Sequence, residues 1–472
     1  MLRVRHLFRS LVLAIVACDS APDPSVDEDP IDELDAQASE ESAVVEDSRA
    51  AKAEPAAAPV PPRPRIVEPV REPIEIRIAR QQLILKAAPD NDAPIRGRIP
   101  IAEPFEVFAL VEGPGCGGKG WADVGNGAFV CLENTRKGGD AVTRPLPELR
   151  DAELAPFFYA KLKSGQQASR WKTMQAWIDG EPPIDELEVE HDYAFVTRRR
   201  MKGEIVLIDD RDRMVLEKNV TRYRPSRFEG RDLVASPVPE GRVLSWGITW
   251  PENPVMSEPS ESARALPTID YQEEIMLLPE PTKNDEGTWW SIDGGGFING
   301  KHLRRWAVGD VPEGIADDEI WIDVELESQT LTIMRGPTPL FATLVSTGFK
   351  GPTPRGLFRI SIKQAIGQMQ SRPDAEESYN VEAVPFVQYF SGNFALHGAF
   401  WHYRFGHKIS HGCVNLSPKD ARRVYGVTSP EAKHGWLHVY ESEGRLGTTV
   451  RVRRGDETVT DKRDPNARVF TP

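Results

Sequence analysis

Nucleophile and base chemistry is concentrated in one run of this chain. From Ala395 to Asn415 it reads ALHGAFWHYRFGHKISHGCVN, with a single cysteine, Cys413, among four histidines, His397, His402, His407 and His411. Cysteine attacks as the thiolate, which forms near neutral pH only beside a base or a positive field. His411 lies close to Cys413 in sequence and His397 a short loop upstream, so either could serve. Gly412 allows a tight turn that brings the Cys413 amide towards a developing oxyanion. After Asn415, Ser417 reads as a helix N-cap, Pro418 as the first helical residue and Asp420 as the acidic partner of the cap. Such a helix turns its positive end towards Cys413 and favours a thiolate. Two blander readings compete: a buried structural thiol, or a zinc site drawn from His397, His402, His407, His411 and Cys413. The spacing matches none of the usual paired zinc-ligand patterns, so neither metal nor cofactor is expected.

The order His397-Gly398, a loop, then Ser410-His411-Gly412-Cys413-Val414-Asn415 resembles the signature of the YkuD-type L,D-transpeptidases of bacterial cell walls. The resemblance implies Cys413 as nucleophile and His397 as base, oriented by the Gly398 carbonyl. It implies His411 and Gly412 as partners of the Cys413 amide in an oxyanion site. Ser410, Asn415 and Trp401 are expected as supporting or substrate-binding residues. The implied substrate is a peptidoglycan stem peptide, acylating Cys413 with release of D-alanine. The acceptor stays open: a diaminopimelate amine giving a 3-3 crosslink, a free D-amino acid, water, or a lysine of an outer-membrane protein. Acylation of Cys413 by carbapenems is a further implication. The rivals are an L,D-carboxypeptidase and a non-catalytic peptidoglycan-binding lipoprotein. The intact set of Cys413, His397 and His411 argues against the latter.

The elements that must position this run are strands. Ile320–Leu326 and Thr330–Met334 alternate apolar and polar residues around a short turn, predicting a hairpin, with a third strand over Leu340–Ser346. Thr353-Pro354-Arg355-Gly356-Leu357-Phe358 again resembles the family, where it forms a turn beneath the active site. Lys363–Ala383 reads as polar and irregular, in the position of the family's lid. Val384–Phe390 and Phe394–Leu396 lead into the site, and Trp436–Tyr440 with Gly447–Val452 close the domain. The expected fold is therefore mainly β. An L,D-transpeptidase β-sandwich spans 318–453, preceded by SH3-like β-barrel modules and a disordered tether, and followed by a loose charged tail, 454–472.

The start of the chain has the form of an export signal. Arg3, Arg5 and Arg9 precede an apolar run too short to span a bilayer. It ends in Ile15-Val16-Ala17-Cys18, which resembles a lipobox, so residues 1–17 read as a lipoprotein signal and Cys18 as the lipidated terminus. Thirteen acidic and two basic residues between Asp19 and Glu54 place most of the net charge of −14 in one stretch. No aromatic residue separates Phe8 from Phe105, so 18–73 reads as a disordered acidic and proline-rich tether. The expectation is an exported lipoprotein on the periplasmic face, held to a membrane through its N-terminal lipid only, with no nucleic-acid partner. Short alternating runs over 74–143 suggest an SH3-like barrel, whose last hairpin is flanked by Cys116 and Cys131, expected to pair in an exported protein. Trp289-Trp290 repeats the pattern seen at Trp121, so 150–310 reads as a second SH3-like module carrying an α/β insertion.

Overall fold

The computed structural model describes residues 71–139, 154–371, 379–433 and 435–463. Signal, tether and Cys18 lie outside the described residues. The described chain is mainly β and falls into two compact units, one of 71–237 with 317–463 and one of 238–316.

In the C-terminal part, β1 (Ile320–Glu325) and β2 (Thr330–Arg335) form the expected hairpin, and β3 (Thr338–Leu344) pairs antiparallel with β2. The turn residue Gln329 takes a left-handed φ of 51°. β4 (Gly356–Arg359) completes this sheet through β10 (Thr449–Arg453), which runs parallel to β1. The second sheet holds β5 (Ile362–Gln370), β6 (Asn380–Ser391), β7 (Phe394–Gly398), β8 (Val414–Leu416) and β9 (His438–Tyr440). Helix α1 (Pro418–Val427) packs on it. Ile322, Val324, Ile333 and Phe341 of one sheet meet Phe386, Leu396, Val414 and Leu416 of the other and Ala421 and Val424 of α1. Each buried Val, Leu, Ile or Phe among them contributes roughly 1.5–3 kcal/mol of transfer free energy.

Two expectations for this region are corrected. Where it is described, Lys363–Ala383 is not irregular: it lies in β5 and β6, long antiparallel strands, and 372–378 lie outside the described residues. Their polar side chains are accommodated because they find partners: the buried Lys363 ammonium donates to the Tyr425 and Thr428 carbonyls, each at 2.7 Å, at the C-terminal end of α1. Nor is the tail loose over 454–463, the part of it that the structure describes. Leu357 N–H donates to Thr460 O at 3.0 Å and Lys462 N–H to Leu357 O at 2.8 Å, so the chain docks on the open edge of β4.

Upstream, one strand order occurs three times. Glu75–Ala79 lies between Pro104–Val107 and Thr135–Lys137, and a 3-10 turn, Leu132–Asn134, precedes the closing strand. Phe158–Leu162 lies likewise between His191–Phe195 and Val220–Arg222, preceded by the 3-10 turn Glu217–Asn219. Val243–Gly247 lies between Glu274–Leu277 and Leu303–Arg305, preceded by Gly300–His302. The 150–310 segment thus holds two repeats divided after Pro237, where a single module with an insertion was expected. The middle repeat was hidden because its hairpin strand, Glu204–Ile208, carries aliphatic residues where the others carry tryptophan.

Cys116 and Cys131 form a disulfide. The first two repeats join the C-terminal sheets by strand addition: Gly97 and Arg98 pair with Val439 and His438, and His191 and Asp192 pair in parallel with Asn380 and Val381. Arg231–Asp232 adds a further strand to β3.

Candidate active site

β7 and β8 run in parallel, with His397 opposite Asn415 and Leu396 opposite Val414. By this register Cys413, the residue before β8, comes beside Ala395, two residues before His397 on β7. Cys413 and His397 are buried. The Cys413 Sγ receives the Ala395 N–H at 3.4 Å and lies 3.8 Å from the Asn393 carbonyl oxygen.

His397 Nδ1 faces the Gly398 carbonyl oxygen at 3.3 Å. A carbonyl only accepts, so Nδ1 carries the hydrogen and the lone pair of the neutral ring lies on Nε2. Burial pushes the His397 pKa down to about 4, against the pull of the Gly398 carbonyl. The ring is therefore neutral at pH 7 and able to take a proton. Trp401 lines it, with ring centroids 5.6 Å apart.

The turn carrying Cys413 is fixed by side chains. Ser410 Oγ donates to Cys413 O at 2.6 Å and accepts Gly412 N–H at 3.1 Å. Gly412 takes a φ of +138°, a conformation side chains rarely adopt. Its N–H is committed to Ser410, so its part in the site is conformational. Thr353 of the Thr-Pro-x-Gly-x-Phe turn donates to Gly412 O at 2.9 Å and accepts Gly348 N–H at 2.9 Å. The loop leading in is pinned by Ser410 N–H to Thr347 O at 3.0 Å and Phe349 N–H to Ser410 O at 2.7 Å.

Asn415 is held through both its backbone and its side chain. Its backbone exchanges hydrogen bonds with Ser346, at 2.8 and 2.9 Å, and its carboxamide faces His402 Nε2 at 3.0 Å. The group that faces it is the Asn415 Nδ2, and His402 Nδ1 accepts Arg404 N–H at 3.2 Å. Burial holds His402 neutral, its pKa pushed down to about 3. His411 stacks parallel to Tyr379, 6.4 Å between centroids. His407 is half-buried further along the loop. Among the described residues no three His, Cys, Asp or Glu side chains are grouped to hold a metal ion.

Helix α1 begins as expected, with Ser417 Oγ accepting Asp420 N–H at 3.2 Å and Pro418 following the cap. Beyond that expectation, the buried Asp420 carboxylate receives Thr343 Oγ1–H at 2.5 Å and Gly230 N–H at 3.1 Å. Burial raises its pKa to about 6. Gln329 was also missed: its Oε1 accepts Thr347 N–H at 2.8 Å, and its Nε2 donates to Thr347 Oγ1 and Leu326 O, each at 2.7 Å. Its signal in the sequence was a lone amide at a hairpin turn, which by itself specifies no partner.

Residues 319–452 match the family model of YkuD, the L,D-transpeptidase catalytic domain. No curated protein matches the chain. Among solved structures, the chain is similar to the catalytic domain of an E. faecium L,D-transpeptidase, at 21% identity over 29% of this chain and 98% of that one, TM-score 0.23. It is similar to an L,D-transpeptidase from Mycobacterium smegmatis at 19% identity, over 50% of this chain and 89% of that one, TM-score 0.24. An L,D-transpeptidase from Stackebrandtia nassauensis is 25% identical over 30% of this chain and 58% of that one, TM-score 0.21.

Proposed function

With residues 319–452 carrying the YkuD, or L,D-transpeptidase, catalytic domain, we propose that this chain transfers the acyl group of a peptidoglycan stem peptide through Cys413. The observation that carries the reading is the His397–Gly398 contact, which leaves Nε2 as the proton acceptor on the strand beside Cys413. His397 takes the thiol proton, and the thiolate attacks the carbonyl joining an L- to a D-centre. The carbon–nitrogen bond breaks, the proton passes from His397 to the departing amine, and D-alanine leaves a thioester on Cys413. An amine of a second stem then gives its proton to His397 and attacks the thioester, restoring the thiol. The Cys413 amide at the Gly412 turn supports the oxyanion.

We further propose that the three repeats are SH3-like modules, and that the protein is exported and held to a membrane by lipid on Cys18. The acidic, aromatic-free stretch up to residue 73 supports a tether.

The test is product analysis of stem tetrapeptides incubated with the protein and with Cys413→Ala. A crosslinked dimer that has lost D-alanine, absent in the variant, supports transpeptidation. Tripeptide alone makes it a carboxypeptidase. No turnover by the folded protein leaves wall binding.

A further inference from the structure

The middle repeat reaches the catalytic centre. Tyr159, on its first strand, is buried and lies flat on Phe400, with ring centroids 3.5 Å apart and planes 11° from parallel. Phe400 meets Trp401 edge-on at 4.9 Å, and Trp401 lies 5.6 Å from the His397 ring. Tyr223, one residue past the repeat's closing strand, closes on Phe400 from another side at 5.5 Å. Four rings thus run without a gap from a segment more than two hundred residues upstream to the proposed base.

The same tyrosine holds the hairpin beside the site. Its hydroxyl donates to Ala383 O at 2.7 Å. Ala383 lies in β6 at a left-handed φ of 54°, which a non-glycine residue keeps only when its surroundings impose it. Two grips flank that contact: Glu382 accepts Ala194 N–H at 3.1 Å and faces His191 Nε2 at 3.0 Å, and Asn380 N–H donates to Glu190 O at 2.9 Å.

We propose that Tyr159 is a positioning residue for acyl transfer, its ring orienting His397 through Phe400 and Trp401 and its hydroxyl holding β6 at Ala383. The middle repeat is then a part of the catalytic centre and not a separable appendage. This rests on the reading of His397 as the base for Cys413.

The experiment compares full-length Tyr159→Leu, Tyr159→Phe and Phe157→Leu. Phe157 packs on Tyr159 at 5.9 Å but off the path to His397, so its variant loses packing without breaking the ladder. Readouts are kcat and KM on stem tetrapeptide and the pH profile of Cys413 alkylation by iodoacetamide. In Tyr159→Leu, kcat is expected to fall roughly 10- to 100-fold with little change in KM, because a small misplacement of a catalytic group is that costly. The pH profile of alkylation is expected to differ from that of the wild type, since the thiol has lost a correctly placed base. Tyr159→Phe keeps the ring and recovers kcat, while KM rises through the lost Ala383 contact. Phe157→Leu lowers thermal stability and leaves the alkylation profile in place. Should Tyr159→Leu not fold, Tyr159→Met, closer in volume, carries the same expectation.

A folded Tyr159→Leu with wild-type kcat and alkylation profile overturns the proposal. So does a Phe157→Leu that matches it in every readout, since the effect would then be packing alone. Full transfer by His397→Ala removes the reading of the base itself, a failure distinct from either.

Discussion

Gly412→Ala puts the conformational argument for the Cys413 turn to a quantitative test. An added Cβ would stand 2.3 Å from Phe394 Cε1 and 2.9 Å from Cδ1, on a residue at φ +138°. Carbon atoms pack comfortably at about 3.5–4.0 Å, so the ring must retreat by about 1 Å. Backbone strain of this kind costs about 1–3 kcal/mol, and forced repacking about as much again. The turn cannot relax freely, because Ser410 holds the Gly412 N–H and Thr353 its carbonyl. Relief must therefore come from Cys413 and Phe394. The expected result is a destabilisation of about 2–6 kcal/mol in chemical denaturation, with acylation slowed by about 100-fold in single turnover. Phe394→Leu combined with Gly412→Ala separates the parts: the steric share is recovered, giving a coupling of about 1–3 kcal/mol, and the backbone share stays. Wild-type stability and rate for Gly412→Ala, or strict additivity in the double variant, would refute the reasoning.

Other consequences are checked by denaturation. Replacing Cys116 and Cys131 by serine opens a link of sequence separation 15, which the chain-entropy relation puts at about 3 kcal/mol; an unchanged midpoint under oxidising conditions would contradict it. Asp323 is buried and receives Arg451 Nε at 2.7 Å and Arg453 Nη2 at 2.9 Å; Asp323→Ala takes the shared carboxylate from two buried guanidinium groups and should cost about 3–5 kcal/mol, and an unchanged denaturation midpoint would contradict it. Burial, with Arg98 nearby, pushes the His438 pKa down to about 3. The folded state then binds fewer protons than the unfolded one below the ordinary histidine value, so this stability falls as pH drops from about 6.5 towards 3. Wild type should lose about 2 kcal/mol more than His438→Gln between pH 7 and pH 5; parallel stability curves would sink the argument.

What the sequence shows and what it hides divide along the range of the interactions. The Ser410–Asn415 run, the Ser417 cap and the β1–β2 hairpin are encoded by neighbours in the chain, and each is found where its pattern places it. The partners of Asp420 are not local: Gly230 and Thr343 come from distant strands, so the cap was legible and its burial was not. Asp323 and Glu325 alternate with apolar residues in β1 and suggest a solvent face, yet both are buried, Asp323 against arginines of β10. Lys363 misled in the same way, since a charged residue opening a polar stretch signals a loop until its carbonyl partners are known. The link from Tyr159 to His397 has no sequence signal at all.

The same long-range contacts determine what can be removed. Four edges of the catalytic sheets are occupied by chain outside residues 319–452: β9 by Ile95–Ile99, β6 by His191–Phe195, β3 by Arg231–Asp232, and β4 by the backbone around Thr460. An edge left open presents unpaired N–H and C=O groups to any other strand. Excision also strips Tyr159 and Gly230 from Phe400 and Asp420, leaving the buried carboxylate one donor short. A lost partner for a buried charged group costs about 1–3 kcal/mol or more. The isolated 319–452 segment is therefore expected to associate and to unfold at lower denaturant than the full chain, as measured by light scattering and denaturation at several concentrations. A monomeric segment of undiminished stability and activity would mean that the added strands merely rest on the catalytic sheets, and that the first two repeats do their work elsewhere.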